Sequence, residues 1–160
     1  MQPATAKQEP TLLPRATARR GAPLNIFSDL MYIKLGGQDT EGRYALIEDV
    51  TTPGGGTPLH VHHREDEGFY VLEGHYLFEA DGKRFEANPG DFVFIPKHIP
   101  HRFLNIGETN GTILLTLEPA GIEASFEELA AIPGPPDPAK LAPLFEKYGL
   151  ELLGPPMQRE

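Results

Sequence analysis

The chain of 160 residues contains no cysteine, which excludes a disulfide framework, a thiolate nucleophile and a cysteine-ligated zinc or iron–sulfur site. Its only serines are Ser28 and Ser125, and neither lies in a G-x-S-x-G sequence, so serine hydrolase chemistry is not expected. No apolar run reaches the ~18 residues of a membrane-spanning helix. The net charge of −9 disfavours nucleic acid and anionic membranes as partners. No secretory signal is recognisable, so we expect a cytoplasmic protein.

What is abundant is glycine and proline, with 17 residues of each. Apolar residues make up 39% and charged residues 23% of the chain, as in globular proteins. A composition so rich in turn formers favours many short strands over long helices. The sequence divides into a flexible or strapped N-terminal arm (1–23), a β domain (24–120) and a C-terminal helical tail packed on it (121–160).

The central segment alternates short strand patterns with turn sequences. Asp81-Gly82 is a strong signal for a two-residue hairpin. Asn88-Pro89-Gly90-Asp91 predicts a further turn, and 52–56 predicts a loop. Eight to ten strands at this spacing predict an all-β sandwich or barrel.

The hydrophobic period changes in the C-terminal tail, where two short helices are predicted. Ser125 and Glu128 have the spacing of a capping box, with Ser125 as the N-cap. Asp137-Pro138 is a candidate start for the second helix, and Gly149 is a plausible C-cap. Pro143 falls inside this helix, where it would bend the helix or delay its start.

Three histidines and one glutamate form the constellation that carries chemistry. His60 and His62 are two residues apart on a predicted strand and therefore point to one face. Glu67 follows a short turn, and His101 lies beside a later one. If the sheet folds back, three neutral imidazoles and one carboxylate converge, and this set suits a divalent first-row metal. Such a site keeps coordination positions open for water, substrate or dioxygen. A vestigial site without metal is the alternative.

These residues resemble the two sequence motifs of the cupin superfamily. The first motif, G-x5-H-x-H-x3–4-E-x6-G, is matched by Gly54, His60, His62, Glu67 and Gly74. The second, G-x5-P-x-G-x2-H-x3-N, is matched by Gly90, Pro96, His101 and Asn105, while His98 replaces its second glycine.

The resemblance implies a double-stranded β-helix (jelly-roll) barrel with one motif pair, carrying the two short C-terminal helices. It implies that the metal ligands are His60, His62, Glu67 and His101, and that the protein is a homodimer. The stretch from 119 to 156 is similar to the tail of small quercetin dioxygenase-like cupins. The metal would be one divalent ion of iron, manganese, nickel, copper, cobalt or zinc, and the sequence does not choose among them.

The neighbouring polar residues are assigned to the surface. His63 alternates with His62 and is expected to be exposed, as are His75 and the turn residue His98. A solvated acidic turn is the expectation for Glu65 and Asp66. Alternation from Glu67 and His101 places four further side chains on the metal face, as a mostly apolar substrate pocket: Phe69, Val71, Phe103 and Asn105.

Three functions fit this pattern. The first is a mononuclear metalloenzyme, most plausibly a dioxygenase acting on a small organic molecule, in which Glu67 is both a ligand and a catalytic proton acceptor. The second is a metal-dependent isomerase or decarboxylase that uses the same ligands without oxidation. The third is a non-catalytic cupin that binds a small molecule.

Overall fold

The computed structural model describes residues 8–135 and 137–160, so the first seven residues of the predicted N-terminal arm lie outside the described residues. Its elements, in chain order, are β1 (Leu24–Ile26), β2 (Asp29–Leu35), α1 (Gly37–Thr40), β3 (Ala45–Thr51), β4 (Pro58–His62), β5 (Asp66–Glu73), β6 (Tyr76–Ala80), β7 (Lys83–Ala87), β8 (Phe92–Ile95), β9 (His101–Asn105), β10 (Gly111–Glu118), α2 (Glu123–Ala130), α3 (Pro138–Lys147) and β11 (Leu150–Pro156). Among these helices, none is long and apolar enough to cross a membrane.

Within the described residues, the strands form two antiparallel sheets. The first has the order β1-β2-β3-β10-β5-β8, and the second has the order β11-β4-β9-β6-β7. The predicted hairpin at Asp81-Gly82 joins β6 to β7, and both of its residues have positive φ, as a type I′ turn requires. The prediction of an all-β jelly-roll barrel with two short C-terminal helices is confirmed.

Aromatic side chains fill the space between the sheets. Phe69 on the first sheet packs edge-to-face on Phe78 of the second, with ring centroids 5.2 Å apart, and also on Phe103 at 6.0 Å. Each of these rings is at most 2% exposed, and full burial of such a side chain contributes about 1.5–3 kcal/mol. This packing extends to the histidines, since Phe69 also packs edge-to-face on His101.

Residues 14–17 lie across the outer face of β2 and β3. Lys34 and Glu48 form an ion pair of 2.8 Å on this face, and both side chains are largely buried. The Lys34 ammonium also donates to the carbonyl oxygens of Pro14 and Thr17, while the Ala16 amide donates to Glu48. The segment thus covers a charged pair that an uncovered sheet face would leave in water.

Of the two helix starts predicted in the C-terminal tail, one is confirmed. Asp137 caps α3 as predicted, accepting a hydrogen bond from the Ala139 amide. Pro143 lies within α3, which continues through it to Lys147. The prediction of Ser125 as the N-cap of α2 is wrong, because α2 starts two residues earlier and the Ser125 hydroxyl donates to the Ile122 carbonyl inside the helix.

The last described segment is a strand rather than a continuation of the helices. β11 pairs antiparallel with β4, placing Leu150 opposite His62 and Leu152 opposite His60. The register shifts twice in its Gly-Pro-containing half. β11 is therefore the edge of the second sheet and the immediate neighbour of the strand that carries two histidines.

Candidate metal centre

The four residues predicted to bind metal come together at one point between the sheets. His60 and His62 project from β4, Glu67 from β5 and His101 from β9, where His101 lies directly opposite His60 in the strand register. One potential ligand atom from each lies within 4.8 Å of all the others, and all four side chains are buried. The alternation predicted from the sequence produces this convergence, since His60 and His62 share a face of β4.

Backbone carbonyls hold two of the imidazole rings in place. Nδ1 of His60 lies 2.7 Å from the Pro58 carbonyl oxygen, and Nδ1 of His101 lies 2.9 Å from that of Ile99. A carbonyl oxygen only accepts, so each Nδ1 must carry the proton and donate. The Nε2 atom of each ring is therefore the nitrogen left to bind a metal, as in metal-binding histidines generally.

Glu67 bridges the other side of the cluster. Its Oε2 atom lies 3.1 Å from Nε2 of His62 and 2.9 Å from Nε2 of His101, which leaves Oε1 out of both contacts. Burial alone would raise the pKa of Glu67, but His62 and His101 outweigh burial and hold this pKa below its usual range. The carboxylate is therefore ionised and ready to coordinate a cation.

The histidines differ in charge. Burial, together with His101 and His62, lowers the pKa of His60 to about 3. Burial would also lower the pKa of His62, but the carboxylates of Glu67 and Glu65 raise it to about 9. His62 thus holds a proton on each nitrogen near neutral pH, and a metal that binds its Nε2 has to displace one of them.

Glu65 contradicts the expectation of a solvated acidic turn. It is only 3% exposed, and its Oε2 lies 3.4 Å from Nδ1 of His62. The contact is an ion pair without good hydrogen-bond geometry. Asp66 is half-buried, and its Oδ1 accepts from the Lys97 amide. The sequence does not predict that Glu65 is buried and Asp66 only half-buried. A run of acidic residues is expected in solvent unless the fold around it is known.

A narrow cavity of about 60 Å³ leads from His60, His62 and Glu67 towards the helices. Phe69 and Phe103, both predicted for the pocket, line it, together with apolar side chains of α2, α3 and β11. Val71 and Asn105, predicted for the same pocket, are fully buried but do not line it. The Asn105 amide instead donates to the carbonyls of Thr51 and Thr109, so it supports a loop.

The histidines assigned to the surface lie there. His63 and His98 are exposed and approach each other, with their Nδ1 atoms 3.2 Å apart. His98 adopts a positive φ of 72° in place of the motif's glycine, which histidine tolerates better than most residues. His75 is exposed and lies 2.7 Å from Glu86.

Two buried carboxyl groups of the cavity were not anticipated. Asp29 on β2 and Asp49 on β3 line it on the side of the first sheet, and both are at most 4% exposed. They stand 20 residues apart on strands of ordinary pattern, without a motif around them. Only the pairing of β2 with β3 brings them together.

The chain is similar to known proteins in sequence and in fold. The family model described as Cupin domain matches residues 50–117. An uncharacterised protein of Methanocaldococcus jannaschii is 38% identical over 72 residues, which are 45% of this chain and 58% of that protein. Quercetin 2,3-dioxygenase of Bacillus subtilis is 30% identical over 66 residues, which are 41% of this chain and 20% of the enzyme. The matches thus span little more than half of the first relative and a fifth of the second.

The fold comparison agrees with the sequence comparison. The crystal structure of an RmlC-like cupin from Shewanella frigidimarina superposes with a TM-score of 0.55 at 23% identity, covering 64% of this chain and 86% of that one. At this identity the likeness shows the fold alone. With both motifs, the matched family model and the two-sheet barrel in agreement, residues 50–117 form a cupin domain.

Proposed function

We propose that this cupin binds one divalent first-row transition metal through His60, His62, Glu67 and His101 and uses it in a dioxygenase-type reaction on a small organic molecule. The observation that carries the proposal is the common orientation of the donor atoms. The Nδ1 atoms of His60 and His101 donate to carbonyls and that of His62 faces Glu65, so all three Nε2 atoms face the site. An array of three imidazoles and a carboxylate suits iron, manganese, nickel, copper, cobalt or zinc.

The bound metal would supply Lewis-acid activation and a place where substrate and dioxygen lie side by side. The protein supplies the rest. Glu67 keeps Oε1 outside its two histidine contacts, so this oxygen is the candidate proton acceptor. Phe69 and Phe103 give the adjoining cavity an apolar wall that orients a substrate and excludes water.

The likeness to a quercetin 2,3-dioxygenase supports an oxidative reaction over the other possibilities. A non-oxidative isomerase or decarboxylase would use the same four ligands and the same cavity. The two are separated by whether dioxygen is consumed.

The test is metal analysis of the purified protein, before and after anaerobic reconstitution with ferrous iron, followed by oxygen-uptake screening with small organic substrates. We expect one metal per chain in the wild type and near-complete loss in His101→Ala. His63→Ala is the matched control, because His63 lies next to a proposed ligand but on the exposed face, and it should retain the metal.

Full metal occupancy in His101→Ala would contradict the ligand assignment. Stoichiometric metal without oxygen uptake on any substrate would leave the metal site standing and favour the non-oxidative reaction. A wild type that binds no metal under any condition would move the protein to the class of metal-free binding cupins.

We also propose that the protein forms a homodimer. Four large apolar side chains are exposed on the outer face of β5 and β8, which is the edge of the first sheet: Tyr70, Leu72, Phe92 and Phe94. Contiguous exposed apolar surface of this kind marks an interaction site. A twofold axis places the same patch on both copies, so a second copy of this chain buries both patches at once.

A further inference from the structure

Asp29 and Asp49 form a pair of buried carboxyl groups on the cavity wall. β2 and β3 are paired so that Asp29 lies opposite Thr51 and Met31 lies opposite Asp49, which puts the two carboxyl groups on one face, diagonally across the strands. Each carboxyl group acts on the pKa of the other. Neither oxygen of Asp49 has a hydrogen-bond donor among the residues that the structure describes. Asp49 is 0% exposed, so bulk water does not replace the missing donor.

Two ionised carboxylates in contact repel each other, and burial adds to the cost. Among the described residues that line the cavity there is no lysine or arginine to compensate them. A single proton between the two carboxyl groups turns the repulsion into a hydrogen bond. Burial raises the pKa of Asp29 to about 7, and burial together with the charge of Asp29 raises the pKa of Asp49 well above its usual range.

The other groups that face the pair come from three more strands. Glu67 on β5 adds a further negative charge, which acts on Asp49. His60 and His62 on β4 line the same cavity at its other end. The Tyr76 hydroxyl on β6 is buried beside the pair and has no partner among the described residues. The cavity thus has a cationic end once a metal is bound, and an oxygen-rich end without a lysine or arginine among the described residues that line it.

We propose that Asp29 and Asp49 share one proton and act as a hydrogen-bond acceptor for a hydroxyl or amine group of the substrate, so that the site selects small neutral molecules against anions. The inference rests on the proposed function, because the metal is expected to hold the other end of the substrate. A carboxylate or phosphate at the end of the substrate away from the metal would face the two aspartates, and no lysine or arginine among the described lining residues would compensate it. A hydroxyl group would donate to Asp49 and satisfy oxygens that otherwise lack a partner.

The size of the cavity restricts the substrate further. An engineered protein cavity that accepts benzene measures about 150 Å³, whereas this one measures about 60 Å³. In the observed arrangement of α2 and α3, the site therefore suits a molecule of a few heavy atoms. A hydroxylated ketone or a short polyol has the required size and groups.

The binding test compares two probes of the same size, hydroxyacetone and pyruvate, which differ by a hydroxymethyl group in place of a carboxylate. Titration calorimetry on the metal-reconstituted protein should show hydroxyacetone binding about tenfold more tightly than pyruvate. Asp49→Asn should reduce this preference several-fold, because at unchanged shape its amide brings an N–H donor that an anion can accept from. Glu127→Gln, which removes an exposed carboxylate on α2, should leave the preference unchanged.

Equal affinity for the two probes, an Asp49→Asn preference like that of the wild type, or no binding of either probe would overturn the proposed selectivity.

A second measurement examines the shared proton without any metal. Difference infrared spectroscopy of the metal-free protein at pH 6 should show the carbonyl stretch of a protonated carboxyl group. The band should disappear or shift in Asp49→Asn and also in Asp29→Asn, and persist in Glu127→Gln. Absence of the band from the wild type would overturn the shared proton. Since this readout does not need metal, its failure is distinguishable from failure of the proposed metal site.

Discussion

Nδ1 of His62 lies 3.4 Å from Oε2 of Glu65, and both side chains are only 4% exposed. Glu65 lies in the short turn between β4 and β5, and its contact fixes which nitrogen of His62 is turned towards the other three residues of the cluster. His60 and His101 use backbone carbonyls for the same purpose. His62 is therefore the one histidine of the cluster whose orientation can be changed by substituting another side chain.

Glu65→Gln should weaken metal binding without removing a ligand. Groups that hold a metal-binding histidine in place typically change affinity about 10–100-fold when replaced. Competition with a chromophoric chelator measures this affinity directly. Glu127→Gln, with its exposed carboxylate, is the control and should bind metal like the wild type. An unchanged affinity in Glu65→Gln would show that Glu65 does not position His62.

The Asp29–Asp49 pair should make stability fall as the pH rises. The folded-state pKa of Asp29 is raised to about 7 from 3.8, so its contribution is fully present below about pH 4 and is lost as the pH rises to 7. Asp29→Asn removes this loss, and we expect its unfolding temperature to exceed that of the wild type by about 3 °C or more at pH 8. The advantage should vanish at pH 4. Thermal unfolding between pH 4 and pH 8 checks the direction of this difference in stability. A variant less stable than the wild type at pH 8 would contradict the prediction.

Gly56 should not tolerate a side chain. A Cβ atom there would lie 1.9 Å from the Phe103 carbonyl oxygen, and backbone cannot move away as the end of a side chain can. We expect Gly56→Ala to cost about 3 kcal/mol or more in the free energy of unfolding, measured by urea denaturation. At Gly154 the nearest atom to an added Cβ would be 3.5 Å away, in ordinary contact. Gly154→Ala is thus the control, and comparable losses in both variants would refute the argument.

The proposed dimer depends on the apolar patch of β5 and β8. Phe94 is 57% exposed on this patch, so Phe94→Glu should place a charge in the interface at little cost to the fold. Light scattering coupled to gel filtration should give a dimer mass for the wild type and a monomer mass for Phe94→Glu. Leu12→Glu, which alters an exposed leucine of the N-terminal segment, should remain dimeric. A monomeric wild type would end the proposal.

The sequence was most informative where its signals are local. Strand alternation predicts that His60 and His62 share a face, and the resemblance to the cupin motif adds Glu67, five residues later. Asp81-Gly82 predicts its hairpin because few residue pairs accept positive φ twice in succession. Local spacing is not enough to place His101, since its position opposite His60 depends on the pairing of distant strands.

Features that depend on long-range pairing were missed. The roles of Asp29 and Glu65 follow from burial, which no neighbouring residue indicates. The α2 start was misassigned because Glu123 accepts a hydrogen bond from the Gly37 amide at the start of α1, a contact that competes with the local capping signal at Ser125. β11 was not predicted because proline lacks the amide proton of a regular ladder, and it is accepted here on an edge strand.

The pairing of β11 with β4 ties the metal site to the last described residues of the chain. Without β11, the backbone of His60 and His62 would become an open edge, and Leu150 and Leu152 would leave the cavity wall. Protease cleavage or a bulky fusion partner near Leu150 should therefore weaken metal binding, as a substitution in the site would. An expression tag intended for metal assays belongs at the opposite terminus, with a cleavable linker.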